Sequence, residues 1–232
     1  MGIRIFFSII FLLSNTAQSE SLRLVMPQFP PYTSEVDGQI SGLGVELVKD
    51  VFTRLKTDYQ LRTVPNYARA IEEVRLGRAD GFFLASENTE RSRIAVFSEP
   101  LLMNHWAWFM RKDDLRDPTS EAFKHSGQVA TLLGSNTNHW LLMEGYNVLT
   151  KANEVVDLPT MLLDMKRIDA VFLAERVFTN ELARQQYSVS DYRRQVQLSK
   201  PFGIYIAKSY VAKHPQFMMQ LNKQIKLVQD LK

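Results

Sequence analysis

Arg91 is the side chain in this sequence best suited to recognition chemistry. It lies in the run Asp80–Leu101, DGFFLASENTERSRIAVFSEPL, where the apolar residues Gly81–Ala85 give way to Ser86, Glu87, Asn88, Thr89, Glu90 and Arg91. A guanidinium presents a planar fork of donors that matches a carboxylate. A short apolar run of this kind reads as a buried strand of a parallel sheet. Ligand sites in open α/β sheets lie just beyond the carboxyl ends of such strands. Asn88 or Thr89 is placed to cap a helical turn there. Read without context, the same turn is only a charged, solvated corner.

Other reactive patterns are sparse. The four histidines, His105, His125, His139 and His214, are scattered, and no Ser-His-Asp order or metal-ligand cluster stands out. The chain has no cysteine, which excludes disulfides, thiolate metal sites and a lipidated cysteine anchor. We therefore expect no metal and no cofactor. Glu87, Glu175 and His139 are the only residues we place near the Arg91 region as a candidate acid or base.

Composition bounds the compartment and the partners. Met1–Ser19 carries one charge at Arg4, an apolar run over Ile5–Leu13 and the small-residue end Ala17-Gln18-Ser19. This is the pattern of a secretory signal peptide cleaved after Ser19. The apolar run is too short to span a bilayer, and no later stretch is apolar for long enough. The expected mature protein is exported to a Gram-negative periplasm and is not a lipoprotein. The formal charge of the 232-residue chain is +3, and the leader takes one arginine with it. Such a weak bias gives no reason to expect nucleic acid as a partner. We expect a monomer.

The elements that must position Arg91 alternate. Ser21–Met26 reads as a strand ended by Pro27 and by Phe29-Pro30-Pro31-Tyr32. Leu43, Leu47, Val48, Val51, Phe52 and Leu55 fall at helical spacing. A strand over Tyr59–Val64, a helix over Tyr67–Leu76 and the strand Asp80–Ala85 complete a strand–helix alternation, which implies a parallel sheet covered by helices. The same texture returns with strands at His105–Arg111, Gln128–Leu132, Val148-Leu149 and Asp169–Leu173. Between them lie helices from His139, over Pro159–Lys166 and over Glu175–Gln185. A strand over Phe202–Ala207 and a helix from about His214 close the chain. Two α/β lobes fit this better than one extended sheet.

Four pieces of the sequence carry a family resemblance. They are Phe29-Pro30-Pro31-Tyr32; Gly42–Leu55; Gly77-Arg78-Ala79-Asp80 with Thr89-Glu90-Arg91 and Val96-Phe97-Ser98-Glu99-Pro100; and Gly134-Ser135-Asn136-Thr137 with Arg167-Ile168-Asp169-Ala170-Val171. In this order they resemble the family 3 extracellular solute-binding proteins, the polar amino-acid group of type II periplasmic binding proteins. The resemblance implies an α/β fold of two lobes, each a mostly parallel sheet flanked by helices, joined by two crossover strands. It places residues 20–104 in the first lobe, 105–203 in the second and 204–232 back in the first. It implies a small carboxylate-bearing ligand gripped between the lobes by hinge closure. Arg91 takes the position of the carboxylate clamp, and Ser86 that of a small polar residue beside it. Ser135, Asn136 and Thr137 take the position of the second-lobe turn that completes the carboxylate site. A helix N-terminus there adds free N–H groups and its dipole. Phe29, Tyr32 and Tyr67 take the positions that wall the pocket for the ligand's body.

The departures from the family pattern are informative. Members that bind α-amino acids hold the ammonium with two carboxylates, and here Met26 and Ala174 stand at those positions. Glu175, one residue further on, or Glu87 is the candidate to take over. Otherwise the ligand lacks a free α-amino group, because an unpaired buried ammonium is costly. Arg69 is a candidate second cation for a dianion. The resemblance implies a receptor that serves an inner-membrane ABC permease, with a membrane sensor as the alternative partner. A dehydratase on the same fold is the weaker reading, since fold alone does not supply chemistry.

Overall fold

The structure, a computed structural model, describes residues 21–231. The expected signal peptide, residues 1–19, lies outside the described residues. The chain opens with strand β1 (Leu22–Pro27), whose side chains are buried except at Arg23. A turn over Phe29–Thr33 follows, with a cis Pro30–Pro31 peptide. The hairpin of β2 (Ser34–Val36) and β3 (Gln39–Ser41) comes next. Helix α1 (Leu43–Leu55) buries Leu47, Val48, Val51 and Phe52 of the predicted stripe, together with Val45, whereas Leu43 is exposed and Leu55 only partly buried. Gly42 has φ +125°, and a Cβ there would meet the Tyr32 carbonyl oxygen at 2.4 Å. Only glycine lets α1 begin hard against the aromatic-proline turn. The amide of Gly44 donates to that same Tyr32 oxygen at 2.9 Å.

The first lobe continues with β4 (Tyr59–Val64), α2 (Tyr67–Arg75), β5 (Gly81–Ala85), α3 (Thr89–Ile94) and β6 (Ala95–Phe97). The second contains β7 (Leu102–Arg111), α4 (Glu121–Ser126), β8 (Val129–Leu132), α5 (Asn136–Met143), β9 (Val148–Ala152), α6 (Leu158–Leu163), β10 (Ala170–Ala174) and α7 (Glu175–Arg184). β11 (Tyr192–Ala207), α8 (Lys208–Lys213) and α9 (Phe217–Gln229) complete the chain.

β4, β1 and β5 pair in parallel in the first lobe, and β10, β8 and β9 do so in the second. Between the two sets run β7 and β11, both antiparallel to their neighbours. β11 pairs with β7 from Tyr192 to Phe202, then with β5 and β6 from Gly203 to Ala207. The two long strands thereby tie two α/β lobes into one molecule. α9 packs on α1 and buries Leu221, Ile225 and Val228.

The sequence pattern locates only the last part of β11. Its first ten residues, YRRQVQLSKP, are mostly polar because among the described residues they pair with β7 alone. Edge strands characteristically carry charge and proline. The helix expected over Pro159–Lys166 stops at Leu163, and the Met165 side chain is exposed. α4, β6 and the β2–β3 hairpin are too short to show a period.

Candidate functional site

β5 ends at Ala85 and the chain turns into α3. Asn88, rather than Thr89, caps this helix: its Oδ1 accepts the Arg91 amide at 2.8 Å. The cap turns the Arg91 side chain inward, and the residue is only 2% exposed. Arg91 Nη1 donates to the Ser86 carbonyl at 2.8 Å. The guanidinium carbon lies 4.9 Å from the centroid of the Tyr67 ring, a cation–π arrangement. The Tyr67 hydroxyl donates to the Leu84 carbonyl. Burial pushes the Tyr67 pKa up, with the Arg91 charge opposing. Burial pulls the Arg91 pKa down, yet an arginine stays charged at any physiological pH.

The opposing wall comes from the start of α5. Ser135 caps it, accepting from the Asn138 amide at 3.1 Å and donating to the Leu132 carbonyl at 2.6 Å. Thr137 Oγ1 lies 2.8 Å from both Ser135 Oγ and Thr131 Oγ1, and Thr131 donates to the Phe172 carbonyl. Asn136 crosses the cleft. Its Nδ2 donates to the Ser86 carbonyl at 2.9 Å, and its Oδ1 accepts from Asn88 Nδ2 at 2.6 Å. The two lobes therefore touch at this point.

Beside this bridge lies an inner chamber of about 20 Å³, lined among others by Ser86, Arg91, Asn104, Asn136, Thr137 and Ala174. That volume suits about one water. Ser86 Oγ, Arg91 Nε and Asn104 Oδ1 are buried there without a hydrogen-bond partner. An outer chamber of about 420 Å³ shares Phe29, Tyr67 and Ser135 with the inner one; Pro65, Leu132 and Val155 add apolar wall, and Glu154 and the ion-paired Glu181 and Arg184 add charged wall. The structure thus brings together Phe29, Tyr67, Ser86, Arg91, Ser135, Asn136 and Thr137. Tyr32 lines neither chamber; it is buried behind Phe29, stacked at 6.2 Å, and meets Phe202 edge-on at 5.6 Å.

Glu175 lies apart from this group. β10 ends at Ala174, and Glu175 starts α7 facing β11, where its Oε1 pairs with Arg194 at 3.1 Å. It borders a separate cavity with Pro31, His105 and Arg176. Glu87 borders another surface cavity with Lys200, and His139 lines neither chamber. No carboxylate is among the described residues lining the inner chamber. Arg69 takes the structural role: it pairs with the buried Glu73 at 2.8 Å, alongside Arg62 and Arg78. Asn104, in contrast, is a chamber residue that the sequence reading does not single out. Its one signal is a lone amide in the apolar strand LMNHWAWFMR.

Among the described residues there is no cluster of three or more His, Cys, Asp or Glu able to hold a metal. No helix among them is long and apolar enough to cross a membrane.

The model of the bacterial extracellular solute-binding proteins, family 3, matches residues 23–230. A comparison with curated protein sequences returns no match. Among solved structures, a histidine kinase sensor domain with similarity to periplasmic binding proteins superposes with a TM-score of 0.78 at 15% identity, covering 91% of each chain. The GluR0 ligand-binding core from Nostoc punctiforme, in complex with L-glutamate, gives 0.74 at 18% identity, over 90% of this chain and 93% of that one. The arginine-bound form of truncated ArgBP from T. maritima gives 0.72 at 21% identity, over 91% of this chain and 96% of that one. At these identities the likeness carries the fold.

Proposed function

Because the chain belongs to the bacterial extracellular solute-binding proteins, family 3, we propose that it is a periplasmic receptor for a small carboxylate-bearing solute. In this reading Arg91 receives the carboxylate. Ser86 and the α5 start, Ser135 to Thr137, close over it, while Phe29 and Tyr67 wall the solute's body. The observation that carries it is a buried guanidinium with an unpartnered Nε in a chamber whose described lining holds no acid. A buried cation without a counter-ion favours an anionic group. The inner chamber likewise has no acid to meet an ammonium beside the carboxylate, and Glu154 and Glu181 line only the outer chamber, where Glu181 is paired with Arg184, so the preferred solute lacks a free α-amino group.

The chamber holds about one water-sized group as it stands. Capture therefore begins from an opened cleft, with Asn136 withdrawn from the Ser86 carbonyl, and ends with hinge closure. Calorimetry with an amino acid and the keto acid of the same carbon skeleton tests the reading. The keto acid should bind more tightly; strong, selective binding of the amino acid would overturn it.

For the partner, we propose an inner-membrane ABC permease, which is the family's transport role. The likeness to a kinase sensor domain supports a second reading, in which the same cleft reports to a membrane sensor. Adjacent genes for a permease and an ATPase would favour import, and an adjacent sensor kinase gene would favour signalling. We propose no catalysis: Glu87, Glu175 and His139 all lie outside both chambers, so the cleft has no acid or base from these three positions.

A further inference from the structure

We propose that Asn104 selects the solute: its buried side-chain carbonyl accepts a hydrogen bond from a neutral donor on the carbon next to the carboxylate, which makes a 2-hydroxy acid the preferred ligand class. The inference rests on the carboxylate reading above and adds a second recognised group to it.

Asn104 is 1% exposed, lines the inner chamber and keeps Oδ1 without a partner. A buried acceptor left unpaired carries a desolvation penalty that a ligand donor relieves. Its position suits selection. It sits on β7, opposite Lys200 of β11, on the pair of strands that passes from one lobe to the other. Closure of either lobe thus brings the ligand against a group held by the crossover itself. The chamber volume of about 20 Å³ keeps Asn104 and Arg91 close to a common small space. A carboxylate at Arg91 therefore places its neighbouring carbon's substituent toward Asn104.

Three substituents are possible on that carbon in common metabolites, and the chamber discriminates among them. An ammonium would be a second buried cation beside Arg91, with only a neutral acceptor to answer it. A keto oxygen has no proton for Oδ1: it pairs with Asn104 only where the amide turns Nδ2 toward it, and Oδ1 then stays buried and unpaired. A hydroxyl is neutral and donates one proton to Oδ1, while its own oxygen can accept from Ser86 Oγ, which is also unpartnered. The outer chamber of about 420 Å³ takes the rest of the solute: Phe29, Pro65, Leu132 and Val155 offer an apolar ring a wall to pack on, while Glu154, Glu181 and Arg184 form a charged part of the same lining.

The test is calorimetry of the purified protein with L-3-phenyllactate, phenylpyruvate and L-phenylalanine, which share one body and differ only at the second carbon. The wild type should prefer phenyllactate over each of the others by at least about tenfold. Asn104→Leu should bring the phenyllactate-to-phenylpyruvate ratio close to one, chiefly by weakening phenyllactate. If melting shows that this variant does not fold, Asn104→Ala, which adds no volume, carries the same comparison. A wild-type ratio of one, a ratio that survives removal of the amide, or preference for phenylalanine overturns the assignment of Asn104. Failure of the wild type to bind any of the three has a different signature and refutes the carboxylate reading on which it rests.

Discussion

Asn136 of the second lobe donates its side-chain amide to the main-chain carbonyl of Ser86 in the first at 2.9 Å, and Arg91 Nη1 shares that oxygen at 2.8 Å. One carbonyl thus joins the cation of the site to the bridge between the lobes. A ligand that draws Arg91 toward its carboxylate competes for the same network.

Asn136→Ala should shift the unliganded protein toward an opened cleft. The substitution removes two cross-lobe hydrogen bonds, to Ser86 and Asn88, each worth about 0.5–1.5 kcal/mol net. Small-angle scattering of the ligand-free variant should show a larger radius of gyration than the wild type. Superimposable curves would mean that the bridge does not hold the lobes together in solution.

Arg91→Gln should weaken a bound carboxylate by about 2–5 kcal/mol, the usual loss for one partner of a buried charge pair. The side chain is also a packed element of the first lobe, stacked on Tyr67 and bonded to Ser86. The melting temperature should therefore fall as well, in the absence of any ligand. Unchanged affinity for the best-binding acid would remove Arg91 from the site.

Thr137→Val should speed ligand release more than it slows capture. Thr137 Oγ1 lies 2.8 Å from both Thr131 and Ser135 in its own lobe, and its one proton serves either of them, so it sets the start of α5 instead of meeting the ligand first. Most affinity changes at a preformed contact show in the off-rate. Stopped-flow traces with a defect confined to association would contradict this order.

Glu73 should make stability depend on acid pH. Burial pushes its carboxyl up, but the Arg62 hydrogen bond and the charges of Arg69 and Arg78 outweigh this and hold it below its ordinary value. Its contribution is then complete above the unfolded-state pKa of about 4.3 and is lost as pH falls through the lower folded value. Glu73→Gln should lower the melting temperature at pH 7 and flatten its decline toward pH 3. Parallel wild-type and variant profiles over that range would assign the acid sensitivity to other carboxylates.

Much of the fold is legible from local pattern. The stripe of α1, the apolar runs of β5 and β10 and the strand–helix alternation follow from which residues must leave water, and this depends on near neighbours. The turn from Ser86 to Arg91 is legible for the same reason, since Asn88 caps α3 from three residues away. The cap at Ser135 is less so: the pattern starts this helix at His139, whereas α5 begins at Asn136.

Placement across the cleft belongs to the tertiary structure alone. Glu175 is adjacent in sequence to a chamber residue, Ala174, yet the start of α7 turns it to Arg194. One residue at a strand end moves a side chain to the other face. Tyr32 has the aromatic character of a pocket wall but lies behind Phe29, because α1 begins against its carbonyl. Asn104 and the Asn136 bridge depend on segments far apart in the chain: β7 beside β11, and α5 opposite the Ser86 turn. No local period marks such residues. They become a site only when distant strand ends meet and bury polar atoms together.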